Sequence, residues 1–206
     1  MAFENNTLKN GFIELNKIKF WANVPGQQSP ARLVWSLLGS QPRITVFLPG
    51  NFTNKYDGII TANMEPMVFA TFISLLSAIT EEDGGPKHKI EFIKYSKDSN
   101  TETSNRSADV TLYFGKNEAN IYWISLVEKN KPNVVFEFLP PEWYRFYHST
   151  GEQFTKEEMS KLHCKSFTRL AMSVYSGLLA ATYAGTSNTS VQELQDATAD
   201  DSGIPF

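Results

Sequence analysis

Ala31-Arg-Leu-Val-Trp-Ser-Leu-Leu-Gly-Ser-Gln-Pro-Arg-Ile-Thr-Val-Phe-Leu-Pro-Gly50 decides the fold, because Ala119-Asn-Ile-Tyr-Trp-Ile-Ser-Leu-Val-Glu-Lys-Asn-Lys-Pro-Asn-Val-Val-Phe-Glu-Phe-Leu-Pro-Pro141 echoes its order of residue types. Each stretch has an apolar run containing Trp, a polar turn, and a second run closing on Phe-Leu-Pro, with a longer turn at Glu128 to Lys131 in the second. Aromatic and β-branched residues in partial alternation mark strands, and Gly, Pro and Asn mark the turns between them. Repetition on this scale points to two copies of one supersecondary unit. In this alignment Trp35 and Trp123 occupy matching positions.

Outward from these stretches, the first copy reads as strands at 11–24, 31–39 and 42–48 with a short fourth near 58–62. Asn63 and Pro66 then open a helix that ends at Gly84-Gly85. The second copy reads as strands at 88–96, 107–117, 119–128 and 133–139, followed by Thr155-x-x-Glu158, a capping box for a helix running to about Ala184. Leu75-Leu-Ser-Ala-Ile-Thr80 in the first helix resembles Leu178-Leu-Ala-Ala-Thr-Tyr183 in the second, which lies later because residues 142–165 are inserted. Glu81 to Pro86 is the joint between copies, and Ser96 to Ser107 is a polar loop. A half of this size is small for an independent core, and a sheet with one helix leaves a face to cover. The expected fold is therefore α+β: two β-β-β-β-α repeats, about 9–85 and 86–185, packed as one pseudo-twofold domain over 1–185, with a disordered acidic segment at 186–206.

The chain has 206 residues, 41% hydrophobic and 20% charged, which places it among globular proteins and excludes a disordered or fibrous one. Its longest apolar run, Met67 to Ile79, is too short to span a bilayer, and the first residues lack a basic region followed by an apolar stretch. With a single cysteine, Cys164, no internal disulfide is possible, and the expectation is a cytoplasmic protein (host cytoplasm if the chain comes from a phage). The formal charge of −3 divides unevenly: all 19 Lys and Arg fall between Lys9 and Arg169, while Glu193, Asp196, Asp200 and Asp201 stand beyond them without a base. A near-neutral body precedes an anionic segment.

Proteins that bind single strands without sequence preference combine cations along the backbone path with rings on which bases stack. In the first strand Lys17, Lys19 and Trp21 share a face by period two, opposite Ile18 and Phe20. In the third, Arg43, Thr45 and Phe47 alternate against Ile44, Val46 and Leu48. In the second copy Lys89, Glu91, Ile93, Tyr95 and Lys97 oppose Ile90, Phe92 and Lys94, and Thr111 and Tyr113 oppose Val110, Leu112 and Phe114. The candidate nucleic-acid-binding residues are Lys17, Lys19, Trp21, Arg32, Trp35, Arg43, Lys89, Lys94, Tyr95, Tyr113, Lys116 and Trp123. For any one ring, a place in the core is the competing reading. Trp143-Tyr-Arg-Phe-Tyr147 has three readings, as a stacking platform, a lid on the core or an oligomer contact, of which packing is favoured.

Two consecutive β-β-β-β-α copies over residues 11–184 resemble the architecture of the Whirly and Pur-alpha proteins. That resemblance lies in element order alone, and it implies binding of single-stranded nucleic acid on the sheets and assembly into a homo-oligomer. A pair of small β-barrels is the structural rival. The end of the chain, Asp200-Asp-Ser-Gly-Ile-Pro-Phe206, resembles the tip of bacterial and phage single-stranded DNA-binding proteins, with Ile204, Pro205 and Phe206 matching it residue by residue. Here Ser202-Gly203 separates the acids from the triplet, which departs from that pattern. The resemblance implies a partner site made of Asp200, Asp201, Ile204, Pro205 and Phe206, recruiting replication, recombination or transcription proteins, a phage RNA polymerase among them. A terminal Phe joins a ring to a carboxylate, which suits an apolar pocket rimmed by Arg or Lys.

Other chemistry is poorly represented. His88, His148 and His163 have no metal-ligand spacing, and adjacent His163 and Cys164 in a helix diverge by about 100°. No phosphate-loop, dinucleotide or nucleophile-elbow motif occurs. The expectation is a non-catalytic single-stranded DNA-binding protein without metal or cofactor, with an RNA-binding module or an assembly protein as alternatives.

Overall fold

The computed structural model describes residues 18–38, 41–54, 56–81, 87–93 and 109–199. Strands β1 (Lys19–Ala22), β2 (Ala31–Leu38), β3 (Gln41–Phe47) and β4 (Ile59–Asn63) form one antiparallel sheet in sequence order, followed by helix α1 (Pro66–Glu81). Strands β5 (His88–Phe92), β6 (Val110–Lys116), β7 (Tyr122–Glu128) and β8 (Phe136–Glu137) form a second, followed by helix α2 (Lys156–Ala199). The fold is α+β, with two four-stranded antiparallel sheets in a two-repeat layout. No helix, among the described residues, is long and apolar enough to cross a membrane.

Local chemistry explains the elements. Pro66 occupies the first position of α1, where its missing N–H costs nothing, and Phe69, Phe72, Ile73, Leu76 and Ile79 recur at helical spacing to form one buried stripe. Thr155 and Glu158 close the capping box at α2: the Thr155 N–H donates to Glu158 Oε2 at 2.8 Å, and the Glu158 N–H donates to Thr155 Oγ1 at 3.2 Å. The buried Ser160 hydroxyl accepts the Tyr122 N–H at 2.8 Å, fixing the first turn of α2 to the start of β7. Lys165 on α2 pairs with Glu81 at the end of α1 at 2.9 Å, which offsets the unfavourable place of that acid at a helix carboxyl end.

One core joins both halves. Phe20 of β1 meets Phe138, just beyond β8, edge-on at 5.0 Å, and Phe72 of α1 meets Phe114 of β6 edge-on at 4.9 Å. Phe167 of α2 packs against Phe20, Trp35 and Phe138. Neither sheet could lose its partner without baring this aromatic cluster to water.

Four expectations change. The echo between Trp35 and Trp123 is not a structural equivalence, because Trp35 lies on the second strand of its sheet and Trp123 on the third strand of the other. Similar residue types mark any half-buried strand, so the echo is out of step by one strand although the order of elements repeats. The last strand of the second sheet shrinks from 133–139 to Phe136–Glu137. There the Val134 carbonyl accepts from Ser125 Oγ at 2.8 Å, and the Leu139 N–H folds back to the Glu137 carbonyl. Helix α2 continues to Ala199, past the expected end near Ala184 and through part of the segment expected to be disordered. No proline interrupts 186–199, and Gln192-Glu193-Leu194-Gln195 are good helix formers. Finally, Trp143, Tyr144, Phe146 and Tyr147 are exposed, Trp143 by 77%, which corrects the packed reading. Pro140-Pro141, with no N–H to donate, keep the insertion from extending this strand.

Candidate nucleic-acid interface

Alternation places Phe20, Leu33, Trp35, Ile44, Val46, Ile60 and Ala62 in the core and leaves the opposite face of the first sheet outward. Pairing between strands arranges that outer face in rows. Trp21, Arg32, Phe47 and Ile59 form one; Lys19, Val34, Thr45 and Thr61 form the next; Ser36, Arg43 and Asn63 form the third. The Arg32 guanidinium carbon lies 4.5 Å from the Phe47 ring centre and 5.9 Å from that of Trp21, so one cation bridges two rings across the sheet. Arg43 Nε donates to Asn63 Oδ1 at 2.8 Å, which holds the guanidinium at the sheet surface. Trp21 is 54% exposed and Lys19 is exposed. Three cations and no carboxylate stand on these outward strand positions.

The second sheet carries a related cluster with a different charge. Its outer face bears Lys89, Glu91, Thr111, Tyr113, Trp123 and Glu137. Lys87 Nζ, one step before β5, lies 4.5 Å from the Tyr113 ring centre and 5.6 Å from that of Trp123. Lys89 is held by Glu91 at 2.5 Å, and that hydrogen bond and charge raise the lysine above its ordinary pKa. The cations here are matched by Glu91 and Glu137, so the first sheet presents the more anion-seeking surface.

Of the sequence candidates, Lys19, Trp21, Arg32 and Arg43 come together on one face, and Lys89, Tyr113 and Trp123 on the other. Trp35 is corrected: at 3% exposure, stacked on Phe72 and touching Phe69 and Phe167, it is a core ring. Lys116 is corrected too, since it shares the parity of Leu112 and Phe114 and lies 6.0 Å from the ring centre of core-facing Tyr122, at the rim of the inner face. Lys17, Lys94, Tyr95, Asp200, Asp201, Ile204, Pro205 and Phe206 lie outside the described residues. Lys87 and Phe47 were not among the candidates. Phe47 was accessible from its alternation with Arg43, whereas Lys87 precedes its strand and joins the cluster only through the fold.

Burial pushes the Cys164 thiol up to about 12, so it is a packed apolar group with little thiolate at neutral pH. Desolvation also lowers the pKa of neighbouring His163. Among the described residues, no group of three His, Cys, Asp or Glu side chains could hold a metal ion. No protein-family profile, curated protein or solved structure matches the chain.

Proposed function

We propose that this protein binds single-stranded DNA without sequence preference, chiefly on the outer face of its first sheet. The observation that carries this reading is the row Trp21-Arg32-Phe47, flanked by Lys19 and Arg43 on a face whose strand positions include no carboxylate. The exposed Trp21 ring supplies a stacking platform that accepts any base, and the cations, Arg32 over Phe47 among them, meet phosphates. Strands about 4.8 Å apart put Trp21 and Phe47 on the order of 10 Å apart, a span that a single strand crosses in two or three nucleotides. The Lys87-Tyr113-Trp123 cluster provides a second, weaker surface. The finer reading of the two-repeat layout is a Whirly- or Pur-alpha-like fold. In this reading the protein protects transiently unwound DNA, and Asp200-Asp201 with Ile204-Pro205-Phe206 recruit replication, recombination or transcription proteins, with the cytoplasm as the site of action.

The deciding experiment is titration of the full chain with labelled single- and double-stranded oligonucleotides at two salt concentrations, with matched DNA and RNA competitors. Preference for the single strand that weakens with salt supports the proposal. Absence of binding to every oligonucleotide at low salt overturns it, and preference for RNA moves the same surface to RNA, because stacking and phosphate contacts alone do not distinguish the sugars.

A further inference from the structure

The insertion between β8 and α2 has no counterpart in the first half, where only two residues separate β4 from α1. It is an ordered hairpin. The Phe154 N–H donates to the Phe146 carbonyl at 3.0 Å, Tyr147 bridges to Gln153, and the His148 N–H donates to the Glu152 carbonyl at 2.8 Å. Gly151, at φ 89°, makes the tight turn. The His148 ring stacks on Phe154 at 3.7 Å and its Nε2 lies 3.5 Å from Glu158, which ties the hairpin to the capped start of α2.

On this fixed support four rings, Trp143, Tyr144, Phe146 and Tyr147, face solvent. Leu162, one turn beyond Glu158, and Leu170, two turns further, are also exposed on α2. Rings of roughly 150–250 Å² each, about half or more exposed, offer on the order of 400–600 Å² before the leucines are added. That approaches the roughly 800 Å² each partner contributes to a standard interface. Arg145 stands among the rings, and Glu142 and Glu152 flank it; all three are exposed and make no ion pair among the described residues. A patch carrying both signs complements itself across a twofold axis.

We propose that this hairpin and the adjoining face of α2 form an isologous interface with a second copy of the chain. In it the rings of the two copies pack together and Arg145 of each faces the acids of the other.

Sedimentation velocity of the full chain over a wide concentration range tests this without DNA. The wild type should show a concentration-dependent dimer, while W143A/Y147A and R145E should sediment as monomers with unchanged circular dichroism, because the altered side chains are exposed, and with a melting temperature that no longer rises with protein concentration. R145E mixed with E142R/E152R should recover a heterodimer that neither forms alone. A monomeric wild type throughout the range, dimerisation of W143A/Y147A like the wild type, or a mixture no more associated than its components would each overturn the proposal. So would a monomeric wild type whose hairpin variants lose oligonucleotide binding, which would make the rings a stacking surface.

Discussion

Arg32 covers the ring of Phe47, its cross-strand partner, with 4.5 Å between guanidinium carbon and ring centre. The contact fixes a long side chain that would otherwise lose conformational freedom on meeting phosphate, and it leaves N–H donors on the outward side. Arg32→Ala is expected to weaken single-strand binding and to reduce the salt dependence by about one phosphate contact. Trp21→Ala is expected to cost about 1–3 kcal/mol, roughly five- to 150-fold in affinity, with the salt slope unchanged because a ring and not a charge is lost. Fluorescence anisotropy at several salt concentrations separates the two effects.

Trp35 is expected to behave in the opposite way. Its ring is buried against Phe69, Phe72 and Phe167, and its Nε1–H has no acceptor among the described residues. Trp35→Ala should destabilise by about 3–5 kcal/mol through the cavity it leaves. Trp35→Phe loses less volume and removes the unmatched donor, so its cost should be about 1–2 kcal/mol. Urea unfolding checks both values, and Trp35→Phe should bind oligonucleotide like the wild type.

These two tryptophans also mark how much the sequence disclosed. Period two separated Lys19 and Trp21 from Phe20, and Arg43 from Ile44, because a strand with one buried face must alternate. The same rule applied to β2 puts Trp35 with Leu33, opposite Arg32, so its burial was legible by parity. The capping box was readable because Thr155 and Glu158 act across three residues of one chain. Cross-strand register was not. Nothing in residue types distinguishes pairing of Gly115 with Trp123 from a slip by one strand, and that register decides which residues share a row. Lys87 reached Tyr113 and Trp123 by the same long-range pairing. The exposure of Trp143 was hidden because aromatic residues ordinarily signal a core, and only the lack of a sheet partner for the insertion reverses that inference.

Gly58 and Phe52 are expected to be energetically coupled. A Cβ at Gly58 would stand 2.5 Å from Phe52 Cδ2, so the ring must leave its place beside the β3–β4 loop for any larger residue to fit. Gly58→Ala should therefore destabilise by about 1–3 kcal/mol. In a Phe52→Ala background the same change should cost much less, because no ring is displaced. A double-mutant cycle by thermal melting checks the coupling; additive effects would show that the ring yields freely.

Glu158 gives the pH dependence a definite sign. The Thr155 backbone N–H, then the Thr155 hydroxyl and His148, stabilise its carboxylate and hold the group below the ordinary 4.5. A folded-state pKa below the unfolded value contributes stability that is present above about pH 4.5 and is lost as pH falls through the folded value. Glu158→Gln should therefore lower the melting temperature at neutral pH, and the gap from the wild type should narrow as acid protonates the wild-type carboxyl. Thr155→Ala removes the hydroxyl that accepts the Glu158 N–H at 3.2 Å and should cost about 0.5–2 kcal/mol. Because the cap and the His148 contact meet at one carboxylate, Glu158→Gln should also loosen the hairpin, seen as faster amide exchange at Tyr147 and His148. Melting curves from neutral to acid pH, recorded with hydrogen exchange at neutral pH, check both consequences. A gap that stays constant through the carboxylate range would place the stabilisation outside this charge.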